Sequence, residues 1–341
     1  MVILYCNYFR FSVLEFLFTF AVTCSPPFPL EQGAQGELFF APIMVKYNKP
    51  ALTYKEQLNQ LLERGLEVVD HEKAIHLLEK ISYYRLSAYW HPFLRIPKTD
   101  NKFKPGSSFE KAFKLYCFDR ELRQVVFNDI EKIEVAVRAK MVYRLSHEYG
   151  PNWYTERDLY KSVTKHTQSL LKIIREVDSS KEDFILAFKK KYSNELPPSW
   201  MALEITSFGT ISHLYSELKP SRAKREVAEY FGLDDKSFSS WLHTLVHIRN
   251  VCAHHSRFWN RAFRISPQIP RKPKREFIDS TGIKNNKSYY ILSMIQFLLI
   301  EINPKSSFKH KIDGLFEKYP MIDKGVMGFP SNWEQESIWS K

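Results

Sequence analysis

The chain has 341 residues, 44% hydrophobic and 15% aromatic with 11 glycines, which suffices for a buried core in one or two domains and excludes a disordered or fibrous polypeptide. Fifty Lys and Arg against 38 Asp and Glu give a formal charge of +12. That favours an acidic partner, nucleic acid before an anionic membrane, because nothing beyond the first segment reads as a long spanning helix.

Residues 1–43 stand apart from the rest. They run apolar from Phe11 to Cys24, interrupted by Glu15, then pass through Ser25-Pro26-Pro27-Phe28-Pro29 into a polar stretch; they carry a net charge of −2, leaving +14 on the remainder. Arg10 ahead of an apolar run suggests a signal peptide, but Glu15 breaks the run and no small-x-small cleavage site follows. The segment therefore reads as an extension ahead of the native start, with the protein opening at Met44-Val45-Lys46-Tyr47. The four cysteines, Cys6, Cys24, Cys117 and Cys252, have no paired spacing, which fits a reducing cytoplasm better than a disulfide framework.

Helix signals dominate from residue 53. Thr53-Tyr54-Lys55-Glu56 has the form of a capping box, followed by Leu58, Leu61 and Leu62 at helical spacing and a stop at Gly65. Asp70 can cap the next helix, whose apolar stripe of Ala74, Leu77, Leu78, Ile81 and Tyr84 continues until Pro92 limits it. A second capping box at Ser107-Ser108-Phe109-Glu110 opens the longest periodic stretch, helical to about Tyr149 and closed by Gly150-Pro151. Forty residues is long for one globular helix, so a bend or break is expected near Cys117 to Asp119. Further helices are predicted at about 155–177, 181–192, 199–217, 221–231 and 236–254, then, after a proline-punctuated loop, at 287–302 and 305–318. Period-two alternation is scarce and no internal repeat is visible. The class is all-α, with an N-terminal helical segment over 44–105, a helical core over 106–265, and a C-terminal basic loop with helices over 266–341.

The chemistry concentrates in Arg249-Asn250-Val251-Cys252-Ala253-His254-His255 and the tract behind it. From Arg249 to Arg275 there are eight basic side chains and no acidic one: Arg249, Arg257, Arg261, Arg264, Arg271, Lys272, Lys274 and Arg275. Phe258, Trp259 and Phe263 are interleaved as prospective stacking platforms, a pattern suited to RNA. Arg followed by His with four to six residues between is common by chance. Arg64 to His71 and Arg85 to His91 also fit, but the first crosses Gly65 and the second lies in an aromatic-rich helix that looks like core. Context singles out Arg249 and His254: Asn250 follows the Arg, His255 adds an imidazole, and the basic tract begins at once.

On a straight helix positions five apart differ by about 140° in azimuth, so Arg249 and His254 would not share a face, whereas Asn250, His254, Arg257 and Arg261 would. One motif is then a poor active site unless the helix ends near His254, and two copies facing across a two-fold homodimer would solve the geometry. Cleaving RNA without a metal needs a base for the ribose 2′-OH, an acid for the leaving 5′-oxygen and a cation on the phosphorane. An imidazole, which titrates near neutrality, can serve as base or acid at His254; Arg249 can supply fixed charge and a donor fork, and Asn250 can orient either partner. The scheme needs no cofactor.

From Met44 to about Lys318 the chain resembles the Abi-like abortive-infection proteins of the AbiD/AbiF type, whose core belongs to the HEPN superfamily. The resemblance rests on Tyr47-Asn48-Lys49-Pro50, Tyr84-Arg85-Leu86-Ser87-Ala88-Tyr89-Trp90, Phe118-Asp119-Arg120-Glu121-Leu122-Arg123, Ile133-Glu134-Val135-Ala136-Val137-Arg138 and Arg249-Asn250-Val251-Cys252-Ala253-His254, with Pro198-Ser199-Trp200-Met201-Ala202-Leu203-Glu204 beside Phe208-Gly209. It implies a HEPN-type helical bundle with N- and C-terminal elaborations, a role in defence against phage, and Arg249, Asn250 and His254 as the catalytic set. The chain departs from paired-motif relatives in offering one convincing motif, which strengthens the dimer expectation.

Around that set, His255, Glu134 and Arg138 are candidate supporting residues, and Arg257, Arg261, Arg264, Lys272 and Arg275 are candidate RNA contacts. Glu134 and Arg138, four apart on a helix, suit a structural ion pair more readily than a role in holding Arg249. His243 and His247 could share a helical face as zinc ligands, but Cys252 points elsewhere and no metal is expected. The Tyr83, Tyr84, Tyr89, Trp90 cluster suits core packing better than base stacking, and Lys189-Lys190-Lys191 suits a solvated helix end. Two hypotheses result: a cytoplasmic, metal-independent endoribonuclease held silent until infection by a partner, or an RNA-binding member acting with a small RNA without cutting.

Overall fold

One helix organises the rest. A computed structural model describes residues 46–340, so the reading of residues 1–43 lies outside the described residues. Twelve α-helices and no strand are present among them, and no helix there is long and apolar enough to cross a membrane. In chain order they are α1 (Tyr54–Glu63), α2 (His71–Ile81), α3 (Tyr83–Trp90), α4 (Phe109–Tyr149), α5 (Val163–Ser179), α6 (Asp183–Lys191), α7 (Ser199–Ala202), α8 (Phe208–Glu217), α9 (Arg222–Tyr230), α10 (Asp235–Ala253), α11 (Ser288–Ile302) and α12 (Phe308–Lys318). The fold is all-α, as the helical periodicity predicts.

The 41-residue α4 packs against α3, α7, α9, α10, α11 and α12. The expected break near Cys117 to Asp119 does not occur. Ala112, Leu115, Asp119, Leu122, Val126, Ile130, Ile133, Val137, Met141 and Leu145 are buried at spacings of three and four, so one unbroken stripe serves the core from end to end. No Gly or Pro interrupts it, and neighbours cover successive turns of its length. Helix α11 is the other interior element: every residue from Ser288 to Leu299 is buried, as expected of a helix apolar all round.

The start and stop residues behave largely as their chemistry dictates. Thr53 and Glu56 form the capping box, Asp70 caps α2 through Lys73 N–H, and Gly65 and Gly150 take φ of +86° and +90°. The second capping box does not form. Ser108 alone caps α4, while Glu110 Oε1 accepts from the Val69 N–H. Two further departures concern helix bounds. Helix α5 begins only at Val163, capped by Ser162, after two 3-10 turns over residues 153–159. The stretch expected as one helix over 199–217 is split at residues 203–207, where the Arg138 guanidinium takes the carbonyls of Leu203 and Thr206.

Candidate functional site

Helix α10 carries the Arg249 to His254 segment and ends within it. His254 is the C-cap and His255 adopts the left-handed conformation at φ +55°. The His255 N–H donates to Cys252 O at 3.0 Å and the Ser256 N–H to Val251 O at 2.9 Å, the two bonds of a Schellman motif. Glycine normally fills the left-handed position of that motif; a histidine there holds about 1–2 kcal/mol of backbone strain. The helix end leaves Arg249, Asn250, His254 and His255 exposed. Arg249 lies with its guanidinium carbon 5.6 Å from the Phe127 ring centroid of α4, a cation-π contact on the flank of the helix. Cys252 faces inward, and burial pushes its thiol up to about 12, so it is no thiolate.

Because α10 stops at Ala253, Arg257 and Arg261 do not continue its Asn250 and His254 stripe; that expectation is corrected. Residues 256–287 contain no α-helix and fold back onto α3 and α4. Phe258, Trp259 and Phe263 are at most 4% exposed, Phe258 packing on Phe263 at 5.2 Å, so they are core and not stacking platforms. The physical reason is Asp119. Its carboxylate, fully buried in α4, accepts from the backbone N–H of Trp259 at 2.6 Å and of Phe258 at 3.1 Å, from the Tyr89 hydroxyl at 2.7 Å, and from the Arg123 guanidinium. Burial pushes the Asp119 carboxyl up, while Arg123, Tyr89 and the backbone donors oppose it. Every one of those partners donates, so the ion pair is the form this geometry accommodates.

Two arginines interlock the same region. Arg257 Nη1 donates to Ala88 O at 2.7 Å, near the C-terminus of α3, and Arg85 Nη1 of α3 donates to His255 O at 3.0 Å. Each helix end thus receives a cation from the other segment, which suits the negative end of a helix dipole. Arg85 is exposed, not core, although its helix neighbours Tyr89 and Trp90 are buried; Tyr83 packs edge-on against Trp90 at 5.1 Å and Tyr84 is exposed. Two of the stretches that carry the family resemblance, on α3 and α4, therefore meet directly behind the third, at the end of α10.

The remaining candidates divide. Arg264 and Lys272 are exposed, Arg261 is half-buried with Nη1 3.4 Å from Arg257 O, and Arg275 pairs with Glu301. Glu134 pairs with Arg138, whose guanidinium also holds Leu203 O and Thr206 O, so this pair joins α4 to the turn before α8 and does not reach Arg249 by any hydrogen bond described. His243 is exposed and His247 half-buried, and among the described residues no group of three or more His, Cys, Asp or Glu is placed to hold a metal ion. Asp119 was missed as a site-organising residue, though a carboxylate in an apolar stripe with Arg123 one turn on was a visible signal.

The class these observations define is an all-helical protein with exposed Arg, Asn and His side chains on the last turns of one helix. Residues 76–260 match the Abi-like protein family, which covers more than half of the chain, and the chain belongs to that family. No curated protein and no solved structure matches it.

Proposed function

We propose that this Abi-like protein acts in abortive infection as a metal-independent endoribonuclease, with Arg249, Asn250 and His254 as its catalytic set. The observation that carries the reading is that all three side chains are exposed on the last turns of one helix, with exposed Arg264 and Lys272 in the chain that follows. His254 moves a proton at the 2′-OH or the 5′-oxygen, Arg249 holds charge on the phosphorane, and Asn250 orients the imidazole or the phosphate. Attack of the 2′-oxygen on phosphorus expels the 5′-oxygen and leaves a 2′,3′-cyclic phosphate. A two-fold pair of chains supplies base and acid from separate helix ends, and a partner RNA or protein restrains the pair before infection.

One observation favours the second reading, an RNA-binding protein that does not cut: Arg249 rests over Phe127, on the flank of α10. The two readings separate when wild type and the Arg249→Ala, His254→Ala double variant are incubated with total RNA in EDTA and fragment ends are analysed. Cyclic phosphate ends from the wild type alone support the nuclease; no cleavage by either, with salt-sensitive RNA binding by the wild type, supports the binder.

A further inference from the structure

Arg85 belongs to α3, far from the Arg249 segment in sequence, yet its guanidinium reaches the carbonyl of His255 at 3.0 Å. That one bond leaves most of the five donors of an exposed guanidinium uncommitted, beside the backbone of the residue that follows His254. The position is rigid. Behind it Arg257 donates to Ala88 O, and Tyr89 and the Phe258 and Trp259 N–H groups share the buried Asp119 carboxylate. A charged fork held this firmly beside a candidate proton-transfer group costs little further ordering when a phosphate arrives. A further cation follows the end of α3: Lys98 is exposed, and its Nζ donates to Nδ1 of the exposed His91 at 3.3 Å, a ring that burial, Lys98 and Arg257 keep from protonating at its ordinary value.

Resting on the RNA reading above, we propose that Arg85 is a second phosphate-binding cation of the site, contributed by α3, and that single-stranded RNA leaves His254 along the edge from Arg85 to His91 and Lys98. The site is then two-sided within one chain, and Arg85 grips a phosphate flanking the scissile one. The competing role is structural, a cap on the end of α10.

The test is binding of a short 2′-O-methyl oligouridylate, which lacks the attacking hydroxyl, over a salt series by wild type, Arg85→Ala and Arg85→Lys, with melting temperatures alongside. Loss of one phosphate contact should make the slope of log Kd against log salt shallower by about 0.7 in Arg85→Ala, and Arg85→Lys should restore it. A lowered melting temperature with an unchanged slope overturns the assignment, leaving the cap. Should Arg85→Ala fail to fold, Lys98→Ala decides, a wild-type slope counting against the path and a shallower one for it. No binding by the wild type overturns the RNA reading itself and this assignment with it.

Discussion

The two halves of the segment from Arg249 to Phe263 are both basic and free of acidic residues, yet they meet opposite fates. In the first half, Arg249, Asn250, His254 and His255 stay in solvent on the last turn of α10. In the second, Phe258, Trp259 and Phe263 enter the core and Arg257 reaches for a backbone carbonyl. The difference teaches that a basic, aromatic-rich run is not of itself a binding face. One buried carboxylate, Asp119, draws the second half inward, while the first half stays outside at the end of its helix.

The largest effect should come from that carboxylate. Asp119→Ala strands the Arg123 guanidinium and two backbone N–H groups, and is expected to cost about 3–5 kcal/mol in denaturant unfolding. A loss below about 1 kcal/mol would mean that the second half is held by its aromatic packing alone.

A control outside both halves is next in size. Glu134→Ala leaves Arg138 with its two carbonyls and should lower stability by about 1–3 kcal/mol, with RNA cleavage per folded molecule unchanged. Reduced cleavage at full folding would instead tie Glu134 to the first half.

Smaller again is the left-handed residue at the junction. His255→Gly relieves strain and should stabilise the protein by about 1 kcal/mol or less, even though glycine is more flexible when unfolded. Destabilisation in a urea titration would show that the imidazole packs. A fall in RNA cleavage without destabilisation would place His255 in the chemistry.

The smallest expected effect is a pH dependence from a half-buried imidazole on the same helix. His247 has its Nε2 buried without a hydrogen-bond partner, and burial, with Arg261, His243 and Arg264, lowers its pKa below the ordinary histidine value of 6.5. The unfolded chain then binds the proton first, so the stability present above pH 6.5 is lost as pH falls from there toward the folded value. Relative to His247→Gln, wild-type stability should fall more steeply below pH 6.5, as read by urea midpoints across that range. Parallel curves would mean the ring is solvated.

Much of the fold is legible one residue at a time. The all-α class, the caps at Thr53 and Asp70, the stops at Gly65 and Gly150, and the end of α10 near His254 follow from local backbone chemistry, which acts over a few residues. The family also follows, because several short stretches in order are specific together. What local chemistry cannot encode is which polar side chain answers which across the fold. The continuity of α4 required neighbours along its whole length, and the break before α8 required Arg138. Arg85 of α3 meets His255 only because a carboxylate on α4 receives both α3 and the chain beyond α10. Those partners lie from about 30 to 170 residues apart, and buried charge must be matched by whatever donors the packing brings within reach.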